Sequence, residues 1–310
     1  MDLLYTLQVM RESVSPLLTR FFMLVSNLTI VLVPVAMMVL YWCIDKDFGK
    51  RLAMELSYSF WFNGIAKLTA CIYRPWILDS RLHVFEDAAG TATGYSFPSA
   101  HTMVASVGFN NLAVYSKKKI WKIVCVCTVI LIMFSRMWLG CHSFIDVLAG
   151  LVIGIIVMLA AKFLDGKLNG NRNKSLIMLV IAIVLSIVTI MYIENKAYPM
   201  DYDAAGRLIV NPDEMKPDSY MGIGLLFGWS LGNLIEERCI KFTTDGTVWQ
   251  KILRTIIGAA FFLGTFLLIK FLFRDFNGSL RSFLRMFMSC IVATVVYPWL
   301  FMKWRNRKNA

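Results

Sequence analysis

The stretch FIDVLAGLVIGIIVMLAA, residues 144–161, is eighteen residues long and contains one charged side chain, that of Asp146. A helix rises about 1.5 Å per residue, so a run of this length nearly crosses the roughly 30 Å hydrocarbon core of a bilayer. Inside a membrane the backbone must satisfy its own hydrogen bonds, and a helix does so within one segment. The stretch therefore predicts a transmembrane helix.

The whole chain has the composition of a membrane protein. Of its 310 residues, 58% are hydrophobic and 17% are charged, and its mean hydropathy is +0.62. Soluble domains carry more charge, about 25% of their residues. We predict an all-α, polytopic membrane protein with about nine transmembrane helices. The predicted spans are residues 21–44, 52–73, 99–115, 120–139, 144–161, 175–193, 220–235, 252–273 and 283–302.

The positive charges predict how these spans are oriented. More than half of the 32 Lys and Arg residues fall in alternate connections, near residues 46–51, 117–122, 162–174, 238–254 and 303–308. The opposite connections, residues 76–94 and 194–219, are acidic. Because basic loops stay in the cytoplasm, we expect an outward N-terminus and a cytoplasmic C-terminus. The net charge of +12 is then mainly a topology signal, with anionic lipid as its partner.

Other compositional features exclude some classes of function. The seven cysteines show no ligand spacing, so we expect neither a disulfide framework nor a zinc site. Basic runs such as SKKKIWK, residues 116–122, are short loop segments, and we expect no nucleic-acid partner. Residues 1–20, with several leucines among few charges, predict an interfacial helix.

Two patterns inside the spans are interpreted as packing features. Gly224, Gly228 and Gly232 form a small-residue stripe at four-residue spacing, which predicts a close helix–helix contact. Arg254 is a single basic residue in a span, and we interpret it as a side chain that extends to the membrane surface.

Several polar residues in or beside the spans fall on one predicted side of the membrane. They are Lys67, Arg74, Ser99, His101, Arg136, His142 and Asp146. Ionisable residues are costly in a bilayer, so they are candidates for function. Their common location outside the cytoplasm predicts one shared site.

The spacing of these residues indicates what that site binds. Lys67 and Arg74 are seven residues apart, so on a helix they share a face and can point at one anion. Asp146 follows His142 by four residues and can orient its imidazole, leaving the other ring nitrogen as a nucleophile. Ser99 is placed to begin a helix whose first backbone N–H groups could bind a phosphate.

The same residues lie in three motifs that resemble those of a known family. The motifs are KLTACIYRP (67–75), PSAH (98–101) and SRMWLGCHSFID (135–146). They are similar to the signature motifs of the type 2 phosphatidic acid phosphatase superfamily, which also occur in vanadium haloperoxidases and glucose-6-phosphatase. The chain departs from the usual pattern at Ala100, where the superfamily commonly has glycine.

The resemblance implies a role for each residue. His142 would attack phosphorus to form a phosphohistidine, with Asp146 orienting it, and His101 would protonate the leaving group and later activate water. The residues that would hold the phosphoryl oxygens are Lys67, Arg74, Ser99, Arg136 and the backbone amide of Ala100. Three fixed cations would do the work that Mg²⁺ does in other phosphoryl transfers, so no metal or other cofactor is implied.

The resemblance also implies a layout. We expect a catalytic membrane core over residues 21–193 after the N-terminal segment 1–20, an extracytoplasmic loop over 194–219, and additional transmembrane helices over 220–310. Many lipid phosphatases of the superfamily have six spans, whereas the nine-span prediction looks like the glucose-6-phosphatase and sphingosine-1-phosphate phosphatase branches.

The predicted function is a metal-independent membrane phosphatase of a lipid phosphate or diphosphate. The site lies at span ends, where a head group would sit, on the extracytoplasmic side of a bacterial-type plasma membrane. One alternative is a phosphatase of a soluble ester such as a sugar phosphate, and another is a phosphate or anion transporter. The oligomeric state stays open.

Overall fold

The computed structural model describes residues 1–309, and side chains as far as Trp304. The basic tail residues predicted to face the cytoplasm, Arg305, Arg307 and Lys308, have side chains outside this part. The helices are α1 (Asp2–Ser13), α2 (Pro16–Val39), α3 (Lys46–Ala70), α4 (Pro75–Leu78), α5 (Glu86–Ala89), α6 (Ala100–Tyr115), α7 (Lys119–Trp138), α8 (Phe144–Lys167), α9 (Lys174–Asn195), α10 (Pro212–Ile235), α11 (Val248–Leu272), α12 (Gly278–Ile291) and α13 (Tyr297–Asn309). Short π-helical segments extend α2 and α10 and join α12 to α13. Residues 1–309 form no β-strand, which confirms the all-α class.

Among the described residues, six helical segments are long and apolar enough to cross a membrane. They are Pro16–Ile44, Lys119–Trp138, Phe144–Lys167, Lys174–Asn195, Val248–Leu272 and Gly278–Trp304. The predicted spans 52–73, 99–115 and 220–235 fall on α3, α6 and α10, which do not meet this criterion within the described residues. One physical reason is length, since α6 has 16 residues and reaches only about 24 Å. The predicted count of nine spans is therefore not confirmed.

The chain divides into two compact units. Unit 1 comprises Met1–Val33, Phe62–Ala160 and Lys196–Met215, and unit 2 comprises Pro34–Trp61, Ala161–Asn195 and Lys216–Ala310. All the predicted site residues belong to unit 1.

In unit 1 the N-terminal helix α1 packs against the protein with one face. Leu4 and Leu7 are buried in a cluster with Phe22 and Trp138. The guanidinium of Arg11 donates to the backbone carbonyl oxygen of Trp138 at 3.1 Å and is buried with it. Other apolar side chains of α1 stay exposed, namely Leu3, Tyr5, Val9 and Met10. The helix therefore has one protein-facing side and one exposed apolar side, and its interfacial location stays a prediction.

Two glycines let α8 approach the start of α6. A Cβ atom at Gly150 would lie 2.7 Å from the carbonyl oxygen of Ser99, and one at Gly154 would lie 2.7 Å from the Cβ of Ser106. These distances are shorter than ordinary contacts, so only glycine permits this approach. The hydroxyl of Ser106 also donates to the Leu151 carbonyl oxygen at 3.0 Å. The N-terminal halves of α6 and α8 are thereby held side by side.

In unit 2 the predicted glycine stripe forms a close helix contact, as expected. Cβ atoms at Gly224, Gly228 and Gly232 would each lie under 3 Å from atoms of the segment 283–294. The interpretation of Arg254 is wrong, however, because this residue is buried. Its guanidinium donates to the carbonyl oxygens of Trp42 at 2.9 Å and Asp245 at 2.8 Å. Backbone carbonyls near a helix end and in a loop are acceptors that no sequence pattern reveals.

Candidate active site

The candidate nucleophile lies just before α8, in a turn that the local sequence fixes. The Ser143 hydroxyl accepts from the backbone N–H of Asp146 at 3.3 Å, and the Asp146 carboxylate accepts from the Ser143 N–H at 2.7 Å. This reciprocal pair is a capping box, which starts a helix by satisfying its free N–H groups. The carboxylate of Asp146 is thus fixed beside His142, one residue before the turn.

The start of α6 is fixed in a similar way, as the sequence predicts. Ser99 is the N-cap residue, and its hydroxyl accepts from the Thr102 N–H at 3.5 Å. Its own N–H donates to the Asp146 carbonyl oxygen at 3.0 Å, which joins the first turns of α6 and α8. Ala100 begins the helix without needing left-handed backbone, so alanine is tolerated at this position.

Arg74 contacts His142 directly. Its Nη1 atom lies 3.1 Å from the imidazole Nε2 and 2.9 Å from the carbonyl oxygen of Cys141. Two further carbonyl oxygens, those of Gly94 and Thr93, accept from the guanidinium at 3.1 Å and 2.9 Å. The same Nη1 atom also lies 3.4 Å from Nδ1, so this contact alone does not decide which ring nitrogen carries the proton.

The carboxylate of Asp146 reaches the imidazole less directly than the four-residue spacing predicts. Its Oδ2 atom lies 3.7 Å from Nδ1 of His142, which is too long for a hydrogen bond. The Ser96 hydroxyl stands between them, 2.6 Å from Oδ2 and 3.4 Å from Nδ1. Ser96 was not among the residues singled out in the sequence, although it lies only three residues before Ser99.

Arg136 is fully buried in the same unit. Its Nη1 atom donates to the hydroxyls of Ser26 at 2.8 Å and Thr91 at 3.3 Å. Its Nε atom is buried without a hydrogen-bond partner among the described residues. A buried donor with no acceptor is costly, so this atom is available to an anion.

The remaining predicted residues belong to the same electrostatic cluster. Lys67 is buried near the end of α3, and its charge, with those of Arg74 and Arg136, acts on His142. The same three cations and His142 lie within electrostatic range of His101 at the start of α6. The structure therefore brings together the residues that the sequence predicted for one site.

The environment favours a neutral His142. This residue lies between α7 and α8, outside the apolar segments, and it is buried. Burial lowers the pKa of His142 well below its usual range, and the charges of Arg74 and Arg136 lower it further. A neutral imidazole keeps a free lone pair, which is the form that can act as a nucleophile.

Two buried histidines thus lie within electrostatic range of three buried cations, and such a set of side chains suits the binding of a phosphoryl group. The family model described as "PAP2 superfamily" matches residues 51–169. A second model, "PAP2 superfamily phosphatase, transmembrane extension", matches residues 220–309. The first match contains every predicted site residue. The chain belongs to the PAP2 superfamily and is an integral membrane protein.

Two curated relatives are similar to part of the chain. An undecaprenyl-diphosphatase of Sulfolobus acidocaldarius is 27% identical over 122 residues, which is 39% of this chain and 57% of that protein. A phosphatidylglycerophosphatase B of Bacillus subtilis is 30% identical over 91 residues, 26% of this chain and 45% of that protein. The chain thus spans about half the length of these relatives. No solved structure matches it significantly.

Proposed function

We propose that this protein is an integral-membrane, metal-independent phosphatase that hydrolyses a lipid phosphate or diphosphate through a phosphohistidine. The observation that carries the proposal is the contact of 3.1 Å between Arg74 and the nucleophilic edge of His142. An anion held by this guanidinium would lie beside the nitrogen that must attack it. Arg136, with its buried and unpartnered Nε atom, supplies a further donor for the same anion.

The mechanism uses the roles that the resemblance implies for the two histidines. Nε2 of His142 attacks phosphorus, the bond between phosphorus and the ester oxygen breaks, and His101 gives a proton to the leaving alkoxide. Water then attacks the phosphohistidine, His101 accepts its proton, and phosphate leaves as the P–N bond breaks. Negative charge on the phosphoryl oxygens is met by Lys67, Arg74 and Arg136, which are preorganised donors in a water-poor site.

Two observations favour a lipid as the substrate. The relatives are named as phosphatases of an undecaprenyl diphosphate and of phosphatidylglycerophosphate, which are both membrane lipids. The site is also built at the ends of apolar helices α7 and α8. There a head group can reach the histidines while its chains remain in the bilayer. From the distribution of basic loops, we place the site at the extracytoplasmic leaflet of the plasma membrane.

The test is release of phosphate by the purified protein in detergent with EDTA present. The substrates are phosphatidic acid, phosphatidylglycerophosphate, isoprenyl diphosphates, sphingoid phosphates and glucose 6-phosphate. We expect turnover of at least one lipid, inhibition by vanadate, and insensitivity to the chelator. Loss of activity in EDTA that added Mg²⁺ restores would refute metal independence, and turnover of glucose 6-phosphate alone would refute the lipid assignment.

The three histidines allow a matched set of variants. His142→Ala should abolish turnover, and His101→Ala should lower kcat by about 10²–10⁴-fold, the usual contribution of a general acid. His83→Ala is the control, because this exposed histidine lies in a loop outside the site. Brief incubation with a labelled phosphate ester should leave label on the wild type and not on His142→Ala. Equal activity of His142→Ala and His83→Ala would contradict the phosphohistidine mechanism.

A further inference from the structure

Ser96 occupies the gap between the carboxylate and the imidazole of the candidate site. The direct distance from Asp146 Oδ2 to His142 Nδ1 is 3.7 Å, beyond the range of an N–H···O hydrogen bond. The Ser96 hydroxyl is 2.6 Å from the carboxylate and 3.4 Å from the ring nitrogen. The carboxylate therefore makes no direct hydrogen bond to the ring that it is expected to orient.

Counting protons fixes the direction of each contact. A serine hydroxyl has one hydrogen, and the short contact to the Asp146 carboxylate uses it, because an ionised carboxylate only accepts. The oxygen of Ser96 then faces His142 with a lone pair, and Nδ1 must carry the ring proton. Arg74 does not decide the tautomer, because its Nη1 atom lies 3.1 Å from Nε2 and 3.4 Å from Nδ1, so the contact with Ser96 decides it.

The surroundings of Ser96 hold this arrangement in place. Its backbone N–H donates to the Ile72 carbonyl oxygen at 2.7 Å, and its side chain is fully buried. The Asp146 oxygen that accepts from the hydroxyl also accepts from the Ser143 N–H at 2.7 Å. A buried site offers little bulk water that could replace a lost hydroxyl.

We propose that Ser96 is a positioning residue that transmits the effect of Asp146 to His142. The proposal rests on the proposed function, since it assigns a role within that site. When His142 forms a bond to phosphorus, the imidazole gains positive charge. The chain from Nδ1–H through the Ser96 hydroxyl to the carboxylate is polarised by this charge and stabilises it. Each hydrogen stays on its own atom, so no proton transfer or co-reactant is needed.

The first experiment reads the tautomer and does not require activity. The protein contains three histidines, so ¹⁵N spectra of histidine-labelled protein in detergent contain three imidazoles. His83→Ala and His101→Ala assign two of them and leave His142. We expect a single tautomer with protonated Nδ1 in the wild type and a mixture in Ser96→Ala. An unchanged His142 spectrum in Ser96→Ala would overturn the proposal.

Two further variants separate this role from packing. Ser96→Cys nearly keeps the volume but forms weak hydrogen bonds, so its spectrum should resemble that of Ser96→Ala. Ser106→Ala removes a buried hydroxyl of α6 that bonds Leu151 and lies outside the proposed chain, and it should leave His142 unchanged. A wild-type spectrum in Ser96→Cys, or an equal effect in Ser106→Ala, would contradict the assignment.

The second experiment tests whether Ser96 and Asp146 act as one unit. On a substrate that the wild type hydrolyses, Ser96→Ala should lower kcat by about 10–100-fold with little change in KM. Asp146→Asn should lower it at least as much, and the double variant should be no worse than the worse single variant. Multiplicative losses would overturn the proposal. If the wild type hydrolyses nothing, the proposed function fails, while the spectra still decide the role of Ser96.

Discussion

Replacing Gly150 with alanine tests whether the contact between α6 and α8 assembles the site. A Cβ atom at this position would lie 2.7 Å from the Ser99 carbonyl oxygen, whereas an ordinary contact is 3.4–4 Å. Relief requires the two helices to move apart by about 0.7 Å or more, because the opposing atom is backbone and cannot rotate away. That movement separates His101 on α6 from His142, which lies just before α8.

The expected loss can be estimated from this displacement. A misplacement of about 1 Å can cost about 10²-fold in rate, so we expect kcat to fall by about 10–100-fold in Gly150→Ala. Overpacking should also lower the free energy of unfolding by about 1–3 kcal/mol. The assay is phosphate release together with a thermal melt, each measured in the same detergent.

A matched control exists on the same helix. A Cβ atom at Gly166 would have no neighbouring atom within 4 Å, so Gly166→Ala should keep both activity and melting temperature. It makes the same substitution in α8 without the close contact. Wild-type activity in Gly150→Ala, or an equal loss in Gly166→Ala, would refute the idea that this contact aligns the two histidines.

Four further predictions concern charge, packing and loop anchoring. Burial and the charge of Arg74 hold the pKa of His142 below its usual value of about 6.5. A plot of kcat/KM against pH should therefore stay level below pH 6.5, and its acidic limb should move to higher pH in Arg74→Gln. An unmoved limb would argue against this charge effect. Because this pKa is lower in the folded protein than in the unfolded chain, the unfolded chain binds more protons below pH 6.5. This histidine should therefore lower the free energy of unfolding as the pH falls, and thermal melts across that pH range would show the effect. Gly224→Ala places a methyl group 2.5 Å from a carbonyl oxygen of α12 and should lower the free energy of unfolding, measured in urea, by about 1–3 kcal/mol. The control Gly264→Ala, with no atom within 4 Å of the added methyl group, should leave it unchanged. Equal urea midpoints for the two variants would contradict the close contact. The ammonium of Lys196 donates to two carbonyl oxygens at the end of α3. Lys196→Met should therefore lower both the melting temperature and kcat/KM. An unchanged melting temperature and kcat/KM would show that this anchor is dispensable.

Local sequence predicted the fold class and several site features correctly. The runs of apolar residues predicted helices, and six of the nine proposed spans are confirmed as candidates by length and composition. The N-cap role of Ser99 followed from its place before an apolar run. The glycine stripe from Gly224 to Gly232 also formed the expected contact. These features depend on interactions within a few residues or along one helix face, which spacing reveals.

Other features depend on partners distant in sequence. Arg254 looked like a lone charge in a span, yet it is buried against carbonyl oxygens near residues 42 and 245. Ser96 carried no motif in its own right, and its contact with Asp146 joins residues 50 positions apart. The glycines at 150 and 154 have the spacing of a close helix contact, but spacing alone does not tell which helix they face.

The sequence by itself determined that this chain is a helical membrane protein of the PAP2 superfamily with two histidines and three cations in recognisable motifs. The membrane helices follow from hydropathy and helical period, and the superfamily follows from the resemblance of the three motifs; all of these are local features of the sequence. Only the tertiary structure decided that Ser96 stands between Asp146 and His142, and that Arg74 contacts the imidazole of His142. The physical reason is that hydrogen bonds are decided by differences of less than 1 Å, and such differences are set by how whole helices pack.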